Sequence, residues 1–207
     1  MSNQYTSASI VLIPLTIVTK TKAYYELLAQ AKTTLINRRH YLNKTNSKTK
    51  LSPHIYNLSS DKYNIFDYVK KCIKDNIRID IVYIVAHHER YDEIGLTGEK
   101  GILPITLAKE FSDNAGEDGL NIIDRIDFFT CNSAYSGISK MESYCGKFAR
   151  ELWIQSNNKN IVIGGFNGFL FEDVKKKHTY IAPVYDDYVK KVRCDDYIVL
   201  FNYDEIE

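Results

Sequence analysis

Two apolar runs in this chain each stop at a side chain able to do chemistry. Residues 79–86 (Ile-Asp-Ile-Val-Tyr-Ile-Val-Ala) end at His87 and His88, and 44 positions after His87 the run 126–130 (Ile-Asp-Phe-Phe-Thr) ends at Cys131. A thiol becomes a good nucleophile when a neighbouring imidazole takes or shares its proton, because the thiolate is the species that attacks. Cys131 is followed by small and polar residues, Asn132, Ser133, Ala134, Ser136 and Gly137, which leave room for a substrate backbone. The chemistry open to such a pair is acyl transfer. The sulfur attacks a carbonyl, the imidazole protonates the leaving amine, and water resolves the thioester. Taken singly, a cysteine after a strand reads as a core residue, and a histidine there as a hydrogen-bonded strand end. Only their meeting on one edge changes that balance.

For them to meet, the two runs must be neighbouring parallel strands. A strand buried on both faces reads as a continuous apolar run, and open α/β sheets bind ligands at the carboxyl ends of their strands. The rest of the chain fits that frame. Residues 8–18 read as a first strand interrupted by Pro14. Residues 23–35 form a helix with Tyr24, Leu27, Leu28, Ala31 and Leu35 on one face. The segment 37–53 has no periodicity and reads as a mobile loop, followed by a short strand at 54–58. A second helix, 61–76, turns Ile65, Phe66, Val69, Cys72 and Ile73 inward. After the strand at 79–86, the segment 89–101 is punctuated by Gly95, Gly98 and Gly101 and reads as a hairpin or flap. Pro104 suits the first turn of a helix that buries Ile105, Ala108 and Phe111. Residues 112–119 read as loop and 122–130 as the strand that delivers Cys131. Ser139 and Glu142 have capping-box spacing ahead of a helix with Met141, Cys145, Phe148, Ala149 and Leu152 inside. Short strands follow at 161–165, 179–185 and 197–203. This order implies one domain over 1–207, of α/β class, built as a three-layer αβα fold around a mostly parallel sheet.

Composition narrows the function classes. A net charge of +1 gives no general attraction to nucleic acid or to a membrane surface. Residues 32–50 are basic without an acid, whereas 203–207 are acidic. The four cysteines, Cys72, Cys131, Cys145 and Cys194, are far apart with no C-x-x-C, so neither a zinc knuckle nor a disulfide framework is expected. Cys72 and Cys145 sit inside helical apolar patterns and read as packing residues; Cys131 sits where a pattern ends. His40 and His54 fall in loop-like stretches and His178 follows three lysines, so His87 and His88 are the imidazoles of interest. The apolar run 10–18 is too short to span a bilayer and lacks the flanks of a signal peptide. A cytoplasmic protein, or one secreted into a host without a cleaved signal, is expected. Phosphatase-type thiol chemistry needs Cys-x5-Arg, and position 137 is Gly. The stretch Gly164-Gly165-Phe166-Asn167-Gly168 lacks the spacing of a dinucleotide fingerprint.

Ala86-His87-His88-Glu89-Arg90 with the glycine-bearing flap, and Phe128-Phe129-Thr130-Cys131-Asn132-Ser133-Ala134, resemble the two catalytic blocks of the caspase-like cysteine peptidases. That superfamily includes caspases, legumain, clostripain, gingipains and the self-processing domains of large bacterial toxins. Residues 143–153 and 161–168 are similar to the helix and glycine-bearing strand that follow in it. The resemblance covers roughly 79–170 and implies a caspase-like sheet, His87 as general acid/base and Cys131 as nucleophile. It also implies an oxyanion hole of backbone N–H groups from Cys131 and His88, where the family has glycine at the latter position. The substrate would lie against Phe129, Asn132 and Ser133. Caspases carry a glutamine where Phe129 stands, so specificity for aspartate is not expected. Asp127, Glu172 and Asp173 are acids that could attract a basic side chain or serve only as surface groups. The partner is a protein or peptide substrate, as for an effector or self-processing protease, with no cofactor or metal required. Toxin domains of this superfamily are switched on by inositol hexakisphosphate; an inositol polyphosphate here would use Arg38, Arg39, Lys175, Lys176, Lys177, Lys190 and Lys191. The alternative is a catalytically inactive caspase-like module for binding or scaffolding, with His88 marking the lost activity.

Overall fold

The computed structural model describes residues 6–45, 47–59, 62–89, 93–96, 100–135, 139–173, 178–183, 192–193 and 198–205. In chain order the elements are β1 (Ser7–Leu12), α1 (Lys22–Lys44), β2 (Thr49–Tyr56), α2 (Ile65–Lys74), β3 (Arg78–Val85), β4 (His87–Glu89), β5 (Glu93–Gly95), α3 (Pro104–Asn121) and β6 (Arg125–Phe129). Then come α4 (Tyr144–Gln155), β7 (Val162–Phe166), β8 (Gly168–Asp173), β9 (His178–Pro183), β10 (Val192–Arg193) and β11 (Ile198–Phe201). The main sheet has six strands in the order β11-β7-β6-β3-β1-β2. All neighbours in it are parallel except β11, which runs antiparallel to β7 at the edge. The chain is therefore of α/β class with a mixed, mostly parallel sheet. β8, β9 and β10 form a separate antiparallel sheet, and β4 and β5 a two-stranded hairpin.

Successive side chains of a strand point to opposite faces, and the sheet's apolar residues sort accordingly. Ala8, Ile10 and Leu12 of β1 share a core with Val82, Ile84, Ile126, Phe128 and Ile163, and with the apolar faces of α2, α3 and α4. Val11 shares a second core with Ile81, Tyr83 and Val85 of β3 and with Leu27 and Ala31 of α1. Between Ala8 and Ser9 the register with β3 slips by one residue, so Asp80 is the extra residue of a bulge.

Several sequence expectations are corrected. The stretch 37–53 is not a mobile loop: α1 continues to Lys44 and β2 begins at Thr49. The helix runs on because its fourth to sixth turns still have work inside the fold. Thr34 and Leu42 are buried, and Arg38 reaches Asp80 in the β3 bulge. β2 is polar because it is an edge strand, where lysines and Pro53 are tolerated; its register against β1 jumps from Leu51 to Ile55 around that proline. β1 ends at Leu12, before Pro14. Residues 112–119 are helical, and α3 absorbs Gly116 as a kink at φ 65°. Ile73 and Ile105, expected inside, are 37% and 47% exposed. Ser139 makes no capping bond; Ser143 is the N-cap of α4, its hydroxyl accepting from Gly146 N–H at 3.2 Å. Inside α4, Cys145, Phe148, Ala149 and Leu152 are buried as expected, and Trp153 with them.

Candidate active site

β3 and β6 are parallel neighbours with Val85 opposite Phe129. His87 and Cys131 each lie two residues beyond that last pair, so both emerge at the same carboxyl edge. Just before they do, Thr130 Oγ1 donates to the Ala86 carbonyl at 3.0 Å, tying the two strand ends together. His87 and His88 then leave the sheet as the first strand of the hairpin, paired with Gly95 and Ile94. The flap expected at 89–101 thus begins at the histidines themselves. Its base is closed by reciprocal backbone bonds between Ile94 and Ile102 at 3.1 and 2.8 Å.

The turn after β6 is held from three sides. Asn132 adopts a left-handed conformation, φ 54°, which asparagine accepts more readily than most residues. Asn132 N–H donates to Gly168 O at 2.8 Å and Ala134 N–H to Phe166 O at 3.0 Å, laddering the turn onto the β7–β8 junction. Ser133 is fully buried, accepts from Phe166 N–H at 3.0 Å and donates to Phe128 O at 3.4 Å. It braces the turn from beneath, which corrects its expected place against a substrate. From α4, Cys145 N–H donates to Ser133 O at 2.9 Å. The packing is close enough to require glycine at 165: a Cβ there would sit 2.4 Å from Cys145 Sγ and 2.9 Å from Ser133 Oγ.

Cys131 is half-buried, and its Sγ accepts a hydrogen bond from Leu170 N–H at 3.3 Å. Burial pushes its thiol above the ordinary range, and the Leu170 N–H and its own backbone N–H only partly offset this. Cys145 is fully buried, with its thiol pushed further up by burial and directed at Gly164 O, 3.7 Å away. Cys72 is buried too, and desolvation lifts it to about 11. These two are packing residues, as expected, while Cys194 lies outside the described residues.

The His88 ring is turned towards the backbone of the nucleophile residue. Its Nδ1 lies 2.9 Å from the Cys131 carbonyl oxygen, and the ring stands edge-to-face with Tyr144 at 6.3 Å between centroids. Its Nε2 is buried, as are Asn132 Oδ1 and Asn167 Oδ1, each without a hydrogen-bond partner among the described residues. Phe129 is half-buried, stacked edge-on between Tyr83 and Phe166 with centroids 5.2 Å from each. The sequence held no sign of Leu170, Asn167 or Tyr144 at this edge. They arrive through the β7–β8 junction, β8 and α4, and only the glycines at 164, 165 and 168 mark where chains approach closely.

Other candidates move away from the edge. Asp127 is buried and bonded to Arg125 Nε at 2.7 Å, so it is not a surface acid. Arg38, a candidate for polyphosphate, is bound to Asp80 at 2.5 Å and to Ser9 Oγ at 3.0 Å. Arg39 is exposed on α1, and Lys175, Lys176, Lys177, Lys190 and Lys191 lie outside the described residues, as does Arg90. The side chains of Glu172 and Asp173 are likewise not described. Among the described residues no group of three or more His, Cys, Asp or Glu is placed to hold a metal ion, and no helix is long and apolar enough to cross a membrane. No protein-family model matches the chain, and no curated protein is significantly similar to it.

Proposed function

We propose that the chain is a cysteine endopeptidase with a three-layer, caspase-like architecture, acting on a protein or peptide through Cys131 and His87. The observation that carries the reading is the register of β3 on β6, with Val85 opposite Phe129. It puts the imidazole and the thiol on one carboxyl edge at equal distance from the last strand pair. The two core clusters, one with α1 and one with α2, α3 and α4, support helices on both faces of the sheet. In the proposed reaction His87 takes the Cys131 proton as the sulfur adds to the scissile carbonyl, then passes it to the leaving amine; water hydrolyses the thioester with His87 as base. Backbone N–H groups of Cys131 and His88 stabilise the oxyanion, an effect typically worth about 3 kcal/mol per donor. Burial disfavours the Cys131 thiolate, so in this reading proton transfer to His87 accompanies attack on the substrate. A polyphosphate activator would act without Arg38, through Arg39 and the lysines at 175–177, 190 and 191. The protein would act in its own cytoplasm or, secreted without a cleaved signal, as an effector in a host.

The test is labelling by a thiol-directed acyl electrophile. Cys131 should be modified selectively in the parent, and His87→Ala should slow the reaction by about 10²-fold or more. With simple alkylators the rate should keep rising with pH beyond about 8.5, the ordinary thiol value, because burial has raised the Cys131 thiol. Equal modification of all four cysteines would end the proposal.

One observation favours the second reading, a catalytically silent binding or scaffold module. The Cys131 sulfur already holds a backbone hydrogen bond from Leu170, in surroundings that disfavour its thiolate. An unreactive Cys131 in the labelling experiment would select that reading.

A further inference from the structure

The geometry points to His88 as the positioning residue of the proposed dyad: its Nδ1–H···O=C bond to Cys131 fixes the nucleophile turn against the hairpin that carries His87. This rests on the peptidase reading. A carbonyl oxygen only accepts, so the 2.9 Å contact requires the proton on Nδ1. Nε2 is then the nitrogen left over, and it is buried with no partner among the described residues. A general base must reach a substrate proton. His88 cannot, since one nitrogen is engaged and the other is shut away from solvent. The base is left to its neighbour, and His88 acquires a different task.

That task follows from a closed circuit of contacts. His88 is bonded to Cys131 O and stacked edge-on with Tyr144. The Tyr144 hydroxyl donates to Ile102 O at 3.0 Å. Ile102 is paired by two backbone bonds to Ile94, and Ile94 stands opposite His88 in the hairpin. Hairpin, nucleophile turn and the start of α4 are thereby locked together outside the parallel sheet. β4 and β5 have three residues each, too short a ribbon to hold its own angle. Without the imidazole, the nearest tie between the two segments would be the Thr130–Ala86 bond one residue before His87 and Cys131, with no bond between the hairpin and the Cys131 carbonyl itself. Glycine at 88 could make no such bond, so the histidine supplies rigidity here through a side chain.

The experiment compares acylation of Cys131 in the parent, His88→Ala and His88→Asn. Asn carries its amide nitrogen on Cγ, where His carries Nδ1, so it restores the donor without a titrating ring. Loss of alignment by about 1 Å costs on the order of 10²-fold in rate; His88→Ala should show a fall of that size, and His88→Asn should recover most of it. Iodoacetamide, which needs neither base nor oxyanion hole, should alkylate Cys131 at alkaline pH at the same rate in all three. Acylation of His88→Ala at the parental rate, or failure of His88→Asn to recover, overturns the inference while leaving the peptidase reading intact. A parent that is not acylated at Cys131 removes both. Should His88→Ala not fold, ¹⁵N shifts of the parent's imidazoles decide: protonation at His88 Nδ1 supports the bond, and at Nε2 alone overturns it.

Discussion

The two larger core clusters are built on different terms. In one, aromatic rings pass contacts from helix to helix: Phe66 to Phe111 at 5.7 Å, Phe111 to Phe148 at 6.0 Å, Phe148 to Phe128 at 4.9 Å and Phe128 to Tyr144 at 5.5 Å, all near-perpendicular or steeply tilted. Phe111, Phe128 and Phe148 are fully buried, and Trp153 with them bonds Ile161 O at 3.1 Å. In the other, α1 buries Leu27 and Ala31, then changes method. Arg38 reaches down to Asp80 and Ser9, and its guanidinium lies 5.1 Å from the Tyr41 ring centroid and 5.9 Å from that of Tyr83. Burial lifts the Asp80 carboxyl above its usual range against the pull of the Ser9 hydroxyl and Arg38. One cluster is stabilised by the apolar surface it removes from water and by the close packing of its rings. The other is specified by a bulge that places one carboxylate under one helix.

The largest expected effect tests the first half of that contrast. Phe128→Ala empties a fully buried site between α4 and the sheet and should cost about 3–5 kcal/mol in denaturant unfolding. A loss under about 1 kcal/mol would mean that the cluster can collapse around the gap and is not the close-packed half. In the other cluster, Arg38→Met leaves Asp80 half-buried without its cation and should cost about 2–3 kcal/mol. Arg38→Met with Asp80→Leu should lose less than Arg38→Met alone, because the desolvated carboxylate is gone too. If the double variant is the less stable, Asp80 contributes through bonds that do not need Arg38, such as the one from the Ser9 hydroxyl, and the proposed contrast fails.

This contrast also explains what the sequence disclosed. The ring-lined cluster repeats with helical or strand period, so Phe66, Val69, Phe111, Phe128, Phe148 and Leu152 could be read directly, and with them the strands that deliver His87 and Cys131. The brace has no period. Arg38, Asp80 and Ser9 are 29 to 71 residues apart in sequence, and each alone resembles a surface residue. The end of α1 and residues 49–53 of β2 therefore read as loop, because their buried contacts are few and mostly polar. The site divides in the same way. Its strand-borne residues were legible, while Leu170, Asn167 and the His88–Cys131 carbonyl bond depend on how β8 and the hairpin fold back, which no local pattern encodes. Ser133 misled because small polar residues suit both an open substrate edge and a buried brace.

The smallest effect concerns one bond made once on each side. The helix α1 is capped by Thr21, whose Oγ1 accepts from Tyr24 N–H at 3.2 Å, and α4 by Ser143, whose Oγ accepts from Gly146 N–H at the same distance. Chemistry and length match; surroundings do not. Thr21 is exposed, so in Thr21→Ala water can take the orphaned N–H, and the loss should be about 0.5 kcal/mol. Ser143 is buried at 1% exposure, and its hydroxyl also donates to Lys140 O. Ser143→Ala strands the Gly146 N–H where water does not reach, while Lys140 O keeps its bond from the backbone N–H of residue 143, so about 1–2 kcal/mol is expected. Ser139→Ala, at the position that sequence spacing favours, should change stability by less than about 0.5 kcal/mol, because it makes no capping bond. Urea midpoints of the three variants, at equal slope, rank them. A Thr21→Ala loss equal to that of Ser143→Ala would mean that the α1 side excludes water as thoroughly as the ring-lined side, and the two clusters would then differ in composition only.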